Sequence, residues 1–146
     1  MPKFAANLSM LFTELPFLDR FAAAADAGFR YVEFLSPYEY EYEQLQRAVT
    51  QNHLQVVLIN LPSGDWAGGD RGIAANPLRQ DEFRAGVERA VAWARVLGVP
   101  RMNCLAGKAV PGVSREEQYR TLVENVRYAA DALAAAPYAA KKGYAL

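Results

Sequence analysis

Polar side chains stand at or just after the ends of four short apolar segments in this sequence. They are Asn7, Ser9, Glu33, Asn60, Asn103 and Lys108. Amides and hydroxyls bind the oxygens of small polar molecules, a glutamate can accept or donate a proton, and a lysine offers one positive charge. Glu33 is either a site residue or a carboxylate that is exposed at an edge or paired, and Lys108 is either a site charge or a solvated lysine. Asn60 and Asn103 are either site amides or capping and turn residues.

A long glycine-rich loop follows the third apolar segment, from Leu61 to Pro77, and contains Trp66 and Arg71. Loops of more than about twelve residues are uncommon and tend to cover or bind ligands. An arginine can bind a carboxylate through two parallel N–H groups, and a tryptophan beside it would exclude water. We therefore expect this loop to fold over a small anionic substrate. The alternative is a mobile surface loop in which Trp66 packs against the end of the fold.

Other reactive side chains form no known catalytic motif. Gly107-Lys108 resembles the end of a phosphate-binding loop, but Met102 replaces its first glycine and Ala109 its serine or threonine. His53 falls between a predicted helix and a predicted strand, at the end of the fold opposite the site, which indicates a turn residue. Cys104 lies in an apolar strand and is expected to be a buried thiol. The spacing of His, Asp and Glu predicts no metal site.

The composition indicates an ordinary globular domain. The chain has 146 residues, of which 52% are hydrophobic, so it can bury a single core. Its 16 basic and 16 acidic side chains give a formal net charge of zero, which argues against nucleic acid or an anionic membrane as a partner. One cysteine and the lack of a signal-peptide or membrane-spanning stretch predict a soluble cytoplasmic protein.

Strand-like and helix-like segments alternate along the chain. The predicted strands are Phe4–Ser9, Tyr31–Leu35, Leu54–Leu61 and Arg101–Leu105. The predicted helices run from about Phe17 to Gly28, through Leu45 to near Asn52, from Asp81 to Gly98, and from Ser114, which has capping-box spacing to Glu117. The apolar side chains that helix four is expected to bury are Tyr119, Leu122, Val123, Val126, Ala130 and Leu133.

This strict alternation predicts an α/β fold with parallel strands and outer helices, in a single domain over residues 1–146. A doubly wound open sheet and part of an eightfold barrel both satisfy the pattern. The barrel needs about 250 residues, so four strand-helix units amount to about half of one. Lys141-Lys142-Gly143 suits the end of helix four, and Tyr144-Ala145-Leu146 falls where strand five would start.

Distinctive strings occur in order at the strand ends and in the loops. They include Asn7-Leu8-Ser9-Met10-Leu11-Phe12, Val32-Glu33-Phe34, Asn60-Leu61-Pro62, Gly64-Asp65-Trp66, Asp70-Arg71-Gly72-Ile73-Ala74 and Asn103-Cys104-Leu105-Ala106-Gly107-Lys108. Through these strings the chain closely resembles the hydroxypyruvate isomerase family, from about Phe4 to Leu133. The resemblance implies four βα units of a (β/α)8 TIM barrel of the xylose-isomerase-like kind, a half barrel. It also implies interconversion of hydroxypyruvate with tartronate semialdehyde.

In that family a proton moves between adjacent carbons with the help of two glutamates from strands five and eight. A divalent metal such as Mg²⁺ is possible in the full-length proteins. The resemblance places these glutamates beyond Leu146, so it implies no catalytic residue, no metal ligand and no bound cofactor in this chain. The remaining substrate-binding candidates are Asn7, Glu33, Asn60, Trp66, Arg71, Asn103 and Lys108.

Three interpretations are compatible with these observations. The first is the N-terminal half of a hydroxypyruvate isomerase, which would bind a small hydroxy or keto acid and be inactive alone. The second is a non-catalytic half barrel that binds a small carboxylate or assembles through its open edges, with a second half-barrel chain or as a homo-oligomer. The third is another isomerase, epimerase or endonuclease with the same barrel. The neutral charge argues against the endonuclease, and the loop strings argue against the rest.

Overall fold

The computed structural model describes residues 2–135. Its contacts divide the chain into two compact units. The first contains the residues up to Ile59 together with Trp93–Met102, and the second contains Asn60–Ala92 and the described residues from Asn103 onward. The expected helix end at Lys141-Lys142-Gly143 and the expected fifth strand lie outside the described residues. The single domain over residues 1–146 stays a prediction.

Four strands form one sheet in the order β1-β2-β3-β4, which follows the order of the sequence. They are β1 (Ala5–Asn7), β2 (Tyr31–Glu33), β3 (Gln55–Asn60) and β4 (Met102–Asn103). The β1–β2 and β2–β3 pairs are parallel, and a register irregularity follows Val32 in β2. All four predicted strands are present but shorter than expected, and each ends at a polar residue, at Asn7, Glu33, Asn60 and Asn103. Parallel strands in sequential order confirm the expected α/β architecture.

Helices connect the strands. They are α1 (Arg20–Asp26), α2 (Tyr42–Gln51), α3 (Gln80–Leu97) and α4 (Arg115–Ala134), and short 3-10 helices at Phe17–Asp19 and Pro77–Arg79 precede α1 and α3. Side-chain caps fix two of the starts: Glu41 forms a capping box with Gln44 before α2, and Ser114 accepts the Glu117 amide before α4. Among the described helices, none is both long and apolar enough to cross a membrane.

The core of the first unit is built around aromatic rings. Phe21 of α1 and Phe34, just after β2, are fully buried, and their rings meet edge to face with centroids 5.7 Å apart. Phe17 contacts both rings at 5.5 Å and stacks on Tyr40 at 5.0 Å. The in-register pair Ala6 and Val32 is fully buried beside them. This core fixes the register of β1 on β2, and with it the residues at the ends of the two strands.

Helix α4 buries a different face from the one its apolar residues predicted. Its buried side chains are Thr121, Asn125 and Ala129, at successive intervals of four residues. Tyr119 is 68% exposed and Val126 is 42% exposed, so the expectation that they face inward was wrong. The apolar stripe is centred about 100° around the helix from the buried face. Small and polar side chains therefore make the inward contacts, while part of an apolar face stays uncovered in the described structure.

Candidate functional site

In the first unit, the ends of β1 and β2 bring Asn7 and Glu33 together. The two residues are register partners, and Asn7 Nδ2 donates a hydrogen bond to Glu33 Oε1 at 3.0 Å. The Ser9 amide donates to Asn7 Oδ1 at 3.0 Å, and the Ser9 hydroxyl accepts from the Leu35 amide at 2.9 Å. The Asn7 side chain is thus held at both of its polar atoms. Glu33 is half-buried, and within residues 2–135 nothing donates to its Oε2.

In the second unit, Asn60 and Asn103 form a pair at the ends of β3 and β4. Asn103 Nδ2 donates to Asn60 Oδ1 at 3.2 Å, and the Leu61 amide donates to the Asn103 carbonyl at 2.9 Å. Asn60 is only 5% exposed, while Asn103 is exposed. The pair therefore joins two strand ends by a hydrogen bond between side-chain amides. Asn103 keeps an accessible amide that can contact a ligand.

The loop after β3 stacks Arg71 on Trp66. The Arg71 guanidinium carbon lies 4.0 Å from the centroid of the Trp66 ring. Arg71 Nη1 donates to the Trp66 carbonyl at 3.1 Å and to the Asp70 carbonyl at 2.5 Å. Both side chains are exposed, and no described residue accepts from Nε or Nη2 of Arg71. The arginine is thus oriented by its own loop, with one edge of the guanidinium left open for an anion.

Two aspartates close this loop by accepting backbone hydrogen bonds. Asp70 Oδ2 accepts from the Asp65 amide at 2.7 Å, and Asp65 Oδ1 accepts from the Gly68 amide at 2.8 Å. The Asp70 amide in turn donates to the Asp65 carbonyl at 2.8 Å. Sequence reasoning did not select either aspartate. Each directly follows a glycine, Gly64 or Gly69, and a Gly-Asp pair is a turn signal that indicates such a role.

Arg79 is a further residue that sequence reasoning missed. Its Nη1 donates to Asp70 Oδ2 at 2.6 Å, while Nε and Nη2 donate to the two carboxylate oxygens of Glu82, each at 2.7 Å. The hydrogen bond from Arg79 is the main cause that lowers the pKa of Asp70 below its usual value. Hydrogen bonds to Glu82 and then to Asp70 raise the pKa of Arg79. One arginine therefore binds two carboxylates, one in the loop and one in the first turn of α3.

A close backbone contact brings Lys108 to the same loop. Gly72 and Ala106 form an isolated antiparallel bridge, and the Ala75 amide donates to the Ala106 carbonyl at 2.8 Å. Lys108 Nζ lies 3.5 Å from the point where a Cβ on Gly69 would stand. Lys108 is exposed, and its charge contributes to lowering the pKa of Asp70. Lys108 therefore lies beside Gly69, in the loop that also carries Arg71.

The structure thus arranges the predicted candidates in three groups. They are Asn7 with Glu33, Asn60 with Asn103, and Trp66 with Arg71 and Lys108. The first group offers a carboxylate beside a fixed amide, the second offers an amide, and the third offers two cations and an aromatic face. The second and third groups both lie in the second unit, and their chemistry suits a small molecule that carries a carboxylate and a further oxygen.

His53 has the turn role that was expected, whereas Cys104 follows β4 and is not the fully buried strand residue that was expected. His53 follows α2 and is exposed, with φ of 54° in a turn. Cys104 is half-buried, and burial raises the pKa of its thiol, which disfavours the reactive thiolate.

Comparison with known proteins decides the family. Residues 21–138 match the xylose isomerase-like TIM barrel family. The chain belongs to this family. A crystal structure titled AP endonuclease, family 2, from Brucella melitensis superposes with a TM-score of 0.89 at 46% identity, over 95% of this chain and 53% of the other. The fold of four parallel-sheet strands and their helices is therefore that of half a family barrel.

The chain is also similar to curated isomerases of the xylose isomerase-like family. It is 54% identical over 133 residues to the hydroxypyruvate isomerase of Escherichia coli K12, over 91% of this chain and 52% of that protein. It is 47% identical over 131 residues to a 2-oxo-tetronate isomerase of Haemophilus influenzae, over 90% of this chain and 51% of that protein. The resemblance to hydroxypyruvate isomerases is confirmed. The chain spans about half the length of these relatives.

The expectation that this chain itself binds no divalent metal such as Mg²⁺ stays a prediction. Among residues 2–135, no three His, Cys, Asp or Glu side chains come together in a geometry that could hold an ion. Mg²⁺ usually takes one or two carboxylates and completes its octahedron with water and substrate oxygens. Asn7 binds one oxygen of Glu33, and Arg79 binds one oxygen of Asp70.

Proposed function

We propose that this chain supplies substrate-binding residues of an isomerase site for a small hydroxy or keto acid, of the hydroxypyruvate isomerase type. The observation that carries the proposal is Arg71, which its loop holds on the Trp66 ring with Nε and Nη2 open. A guanidinium edge of this kind binds a carboxylate through two parallel hydrogen bonds. The exposed Trp66 ring would shield that ion pair from water, which strengthens it.

The names of the relatives narrow the substrate class. Hydroxypyruvate and 2-oxo-tetronate, the compounds named in the two isomerases, both carry a carboxylate, an adjacent carbonyl and a hydroxyl on the next carbon. We assign the carboxylate to Arg71, with Lys108 as a second cation beside it. Asn103, which lies in the same unit as Arg71, is suited to a carbonyl or hydroxyl oxygen of the acid.

Conversion of such an acid moves a proton between adjacent carbons and needs a group on each side of that transfer. A single general acid or base contributes typically 10²–10⁴-fold. Among the described strand-end residues, Glu33 is the one carboxylate, and its Oε1 is engaged by Asn7. We therefore propose that the chain alone binds the acid without turning it over. A reducing, cytoplasmic setting is part of the proposal, because the single Cys104 has no cysteine to pair with in this chain.

The test is acid binding by the purified chain, measured by calorimetry with hydroxypyruvate. Arg71→Gln should weaken binding at least about tenfold, and Arg71→Lys should also weaken it because lysine loses the fork. Arg120→Gln is the matched control, since Arg120 is an exposed arginine of α4 that forms no hydrogen bond to the loop within the described residues. Equal binding by the Arg71 and Arg120 variants would refute the proposed site. Formation of tartronate semialdehyde by the chain alone would refute the statement that it binds without turnover.

A second candidate function is assembly with another half barrel, and the α4 surface favours it. Tyr119 and Val126 lie two helical turns apart on one face and are exposed at 68% and 42%. Exposed apolar residues on a helix face often mark an interaction surface. Light scattering should show a defined oligomer that Val126→Glu disrupts. Arg127→Gln, which changes the net charge equally on an adjacent exposed position, should leave it intact. A monomeric wild-type chain would exclude assembly with itself.

A further inference from the structure

We infer that Arg79 keeps the Nε–Nη2 edge of Arg71 free to bind an acid. Arg79 does so because it binds the carboxylate of Asp70, which would otherwise compete for Arg71. Arg79 is thus a positioning residue that acts through Asp70. The inference deepens the proposed function, and the test of it that measures acid binding rests on that function. A separate test needs no ligand, so the inference and the proposed function can fail separately.

The geometry places one carboxylate between competing cations. Asp70 directly precedes Arg71 in the chain, and Arg71 Nη1 already donates to the Asp70 carbonyl at 2.5 Å. The Asp70 side chain instead binds Arg79 at 2.6 Å, and Lys108 also acts on its charge. An aspartate beside an arginine is an internal competitor for any external carboxylate. Arg79 removes this competitor by taking the carboxylate itself.

The remaining acidic groups of the loop are also occupied. Glu82 binds Nε and Nη2 of Arg79 in a two-pronged contact, each bond 2.7 Å long. Asp65 accepts the Gly68 amide at 2.8 Å, and its carboxylate lies in the space that a side chain on Gly68 would need. Asp65, Asp70 and Glu82 therefore each have a partner other than Arg71. This division of charges keeps the Nε–Nη2 edge of Arg71 open.

The test without ligand measures whether Arg71 remains stacked on the Trp66 ring. In Arg79→Gln, the released Asp70 carboxylate should draw the guanidinium off the ring. The indole N–H resonance of Trp66 should then shift in a ¹H–¹⁵N spectrum, assigned by its loss in Trp66→Phe. The double variant Arg79→Gln with Asp70→Asn should return the resonance to its wild-type position, since the competing charge is gone. A wild-type resonance in Arg79→Gln would overturn the inference.

The second test measures binding of hydroxypyruvate by the same variants. Arg79→Gln should weaken binding about tenfold, and adding Asp70→Asn should restore it. Asp70→Asn alone should bind at least as well as the wild type, because an asparagine oxygen can still accept from Asp65 and Arg79. Arg79→Lys, which keeps a cation on Asp70, should bind nearly as well as the wild type. A loss that Asp70→Asn fails to restore would show that Arg79 merely shapes the loop, which overturns the inference.

The outcomes separate the inference from the proposed function. If Arg71→Gln binds the acid as well as the wild type, the proposed site is wrong, whatever the Trp66 resonance shows. If the Trp66 resonance responds to Arg79→Gln and recovers in the double variant, the division of charge stands without any ligand. Far-UV circular dichroism confirms that each variant is folded, and Arg79→Lys supplies the comparison should Arg79→Gln unfold.

Discussion

Gly72 and Gly107 lie so close together that the Gly72 carbonyl oxygen occupies the space that a Cβ on Gly107 would need. Both residues have positive φ, 108° and 102°, a region that side chains other than glycine rarely adopt. Arg71 precedes the first glycine and Lys108 follows the second. This contact therefore ties together the two loop segments that carry the cations of the candidate site.

Gly107→Ala should destabilise the protein strongly. The substitution adds backbone strain of about 1–2 kcal/mol at positive φ and a steric clash of about 1–3 kcal/mol with the Gly72 backbone. Gly112→Ala is the matched control, because Gly112 also has positive φ, 78°, but has no atom within 4 Å of its would-be Cβ. Urea unfolding should show the larger loss for Gly107→Ala. Equal losses would mean that the close contact adds nothing to the strain.

Asn7→Asp should destabilise the end of β1 through repulsion by Glu33. The new carboxylate can still accept from the Ser9 amide, but it loses the donor that binds Glu33 Oε1 at 3.0 Å. We expect a loss of about 1–2 kcal/mol at pH 7, measured by urea unfolding. Adding Glu33→Gln should recover most of it, because the glutamine amide can donate to the new carboxylate. A double variant as unstable as Asn7→Asp would contradict the pairing.

Asp70→Asn should reduce the loss of folding stability that occurs as the pH falls below about 5. The Arg79 hydrogen bond lowers the folded-state pKa of Asp70 below its unfolded value, so Asp70 releases its proton more readily in the folded protein. Its stabilising contribution is therefore present above the unfolded pKa of about 3.9 and is lost as the pH falls through the lower folded pKa. Urea unfolding between pH 2 and 5 should show a smaller decline for Asp70→Asn than for the wild type. Parallel profiles would mean that Asp70 carries no such linkage.

Much of the fold could be predicted because local signals agreed with it. Ser114 and Glu117 fixed the start of α4, and valine and isoleucine runs located β3. The inward face of α4 could not be predicted, since its buried positions are Thr121, Asn125 and Ala129. Periodicity marks where apolar residues lie, whereas burial depends on which partner is present to cover them.

The residues of the candidate site could be predicted from the sequence, but the contacts between them could not. Strand ends and loop length selected Glu33 and Arg71 from the sequence. The ion pair of Asp70 with Arg79 spans nine residues of irregular chain, so no helical or strand period could reveal it. Likewise, the pairing of Asn7 with Glu33 depends on strand register, which the packing of the first-unit core decides.

Asn125→Asp should produce a stability defect that acid relieves. Asn125 is fully buried in α4; its Nδ2 donates to the Ala74 carbonyl at 2.9 Å, and its Oδ1 has no hydrogen-bond partner in the described structure. A carboxylate there would lose the donor to Ala74 and bury an unpaired charge, at a cost of about 3–5 kcal/mol. Burial without a donor raises the folded-state pKa of the new group above its unfolded value of about 3.9. The defect is then complete above the folded pKa and absent below the unfolded one, where the protonated group can donate to Ala74.

Urea unfolding at pH 7 and pH 4 measures this difference. Asn125→Ala is the control, because it loses the same hydrogen bond without adding a charge, and its loss of about 1–3 kcal/mol should be equal at both pH values. Asn125→Asp should approach or exceed the stability of Asn125→Ala as the solution is acidified, since only the acid form of the new side chain restores a donor to the Ala74 carbonyl. An Asn125→Asp variant that is equally unstable at both pH values would show that the buried face of α4 admits water to this position, because a hydrated carboxylate keeps its ordinary pKa.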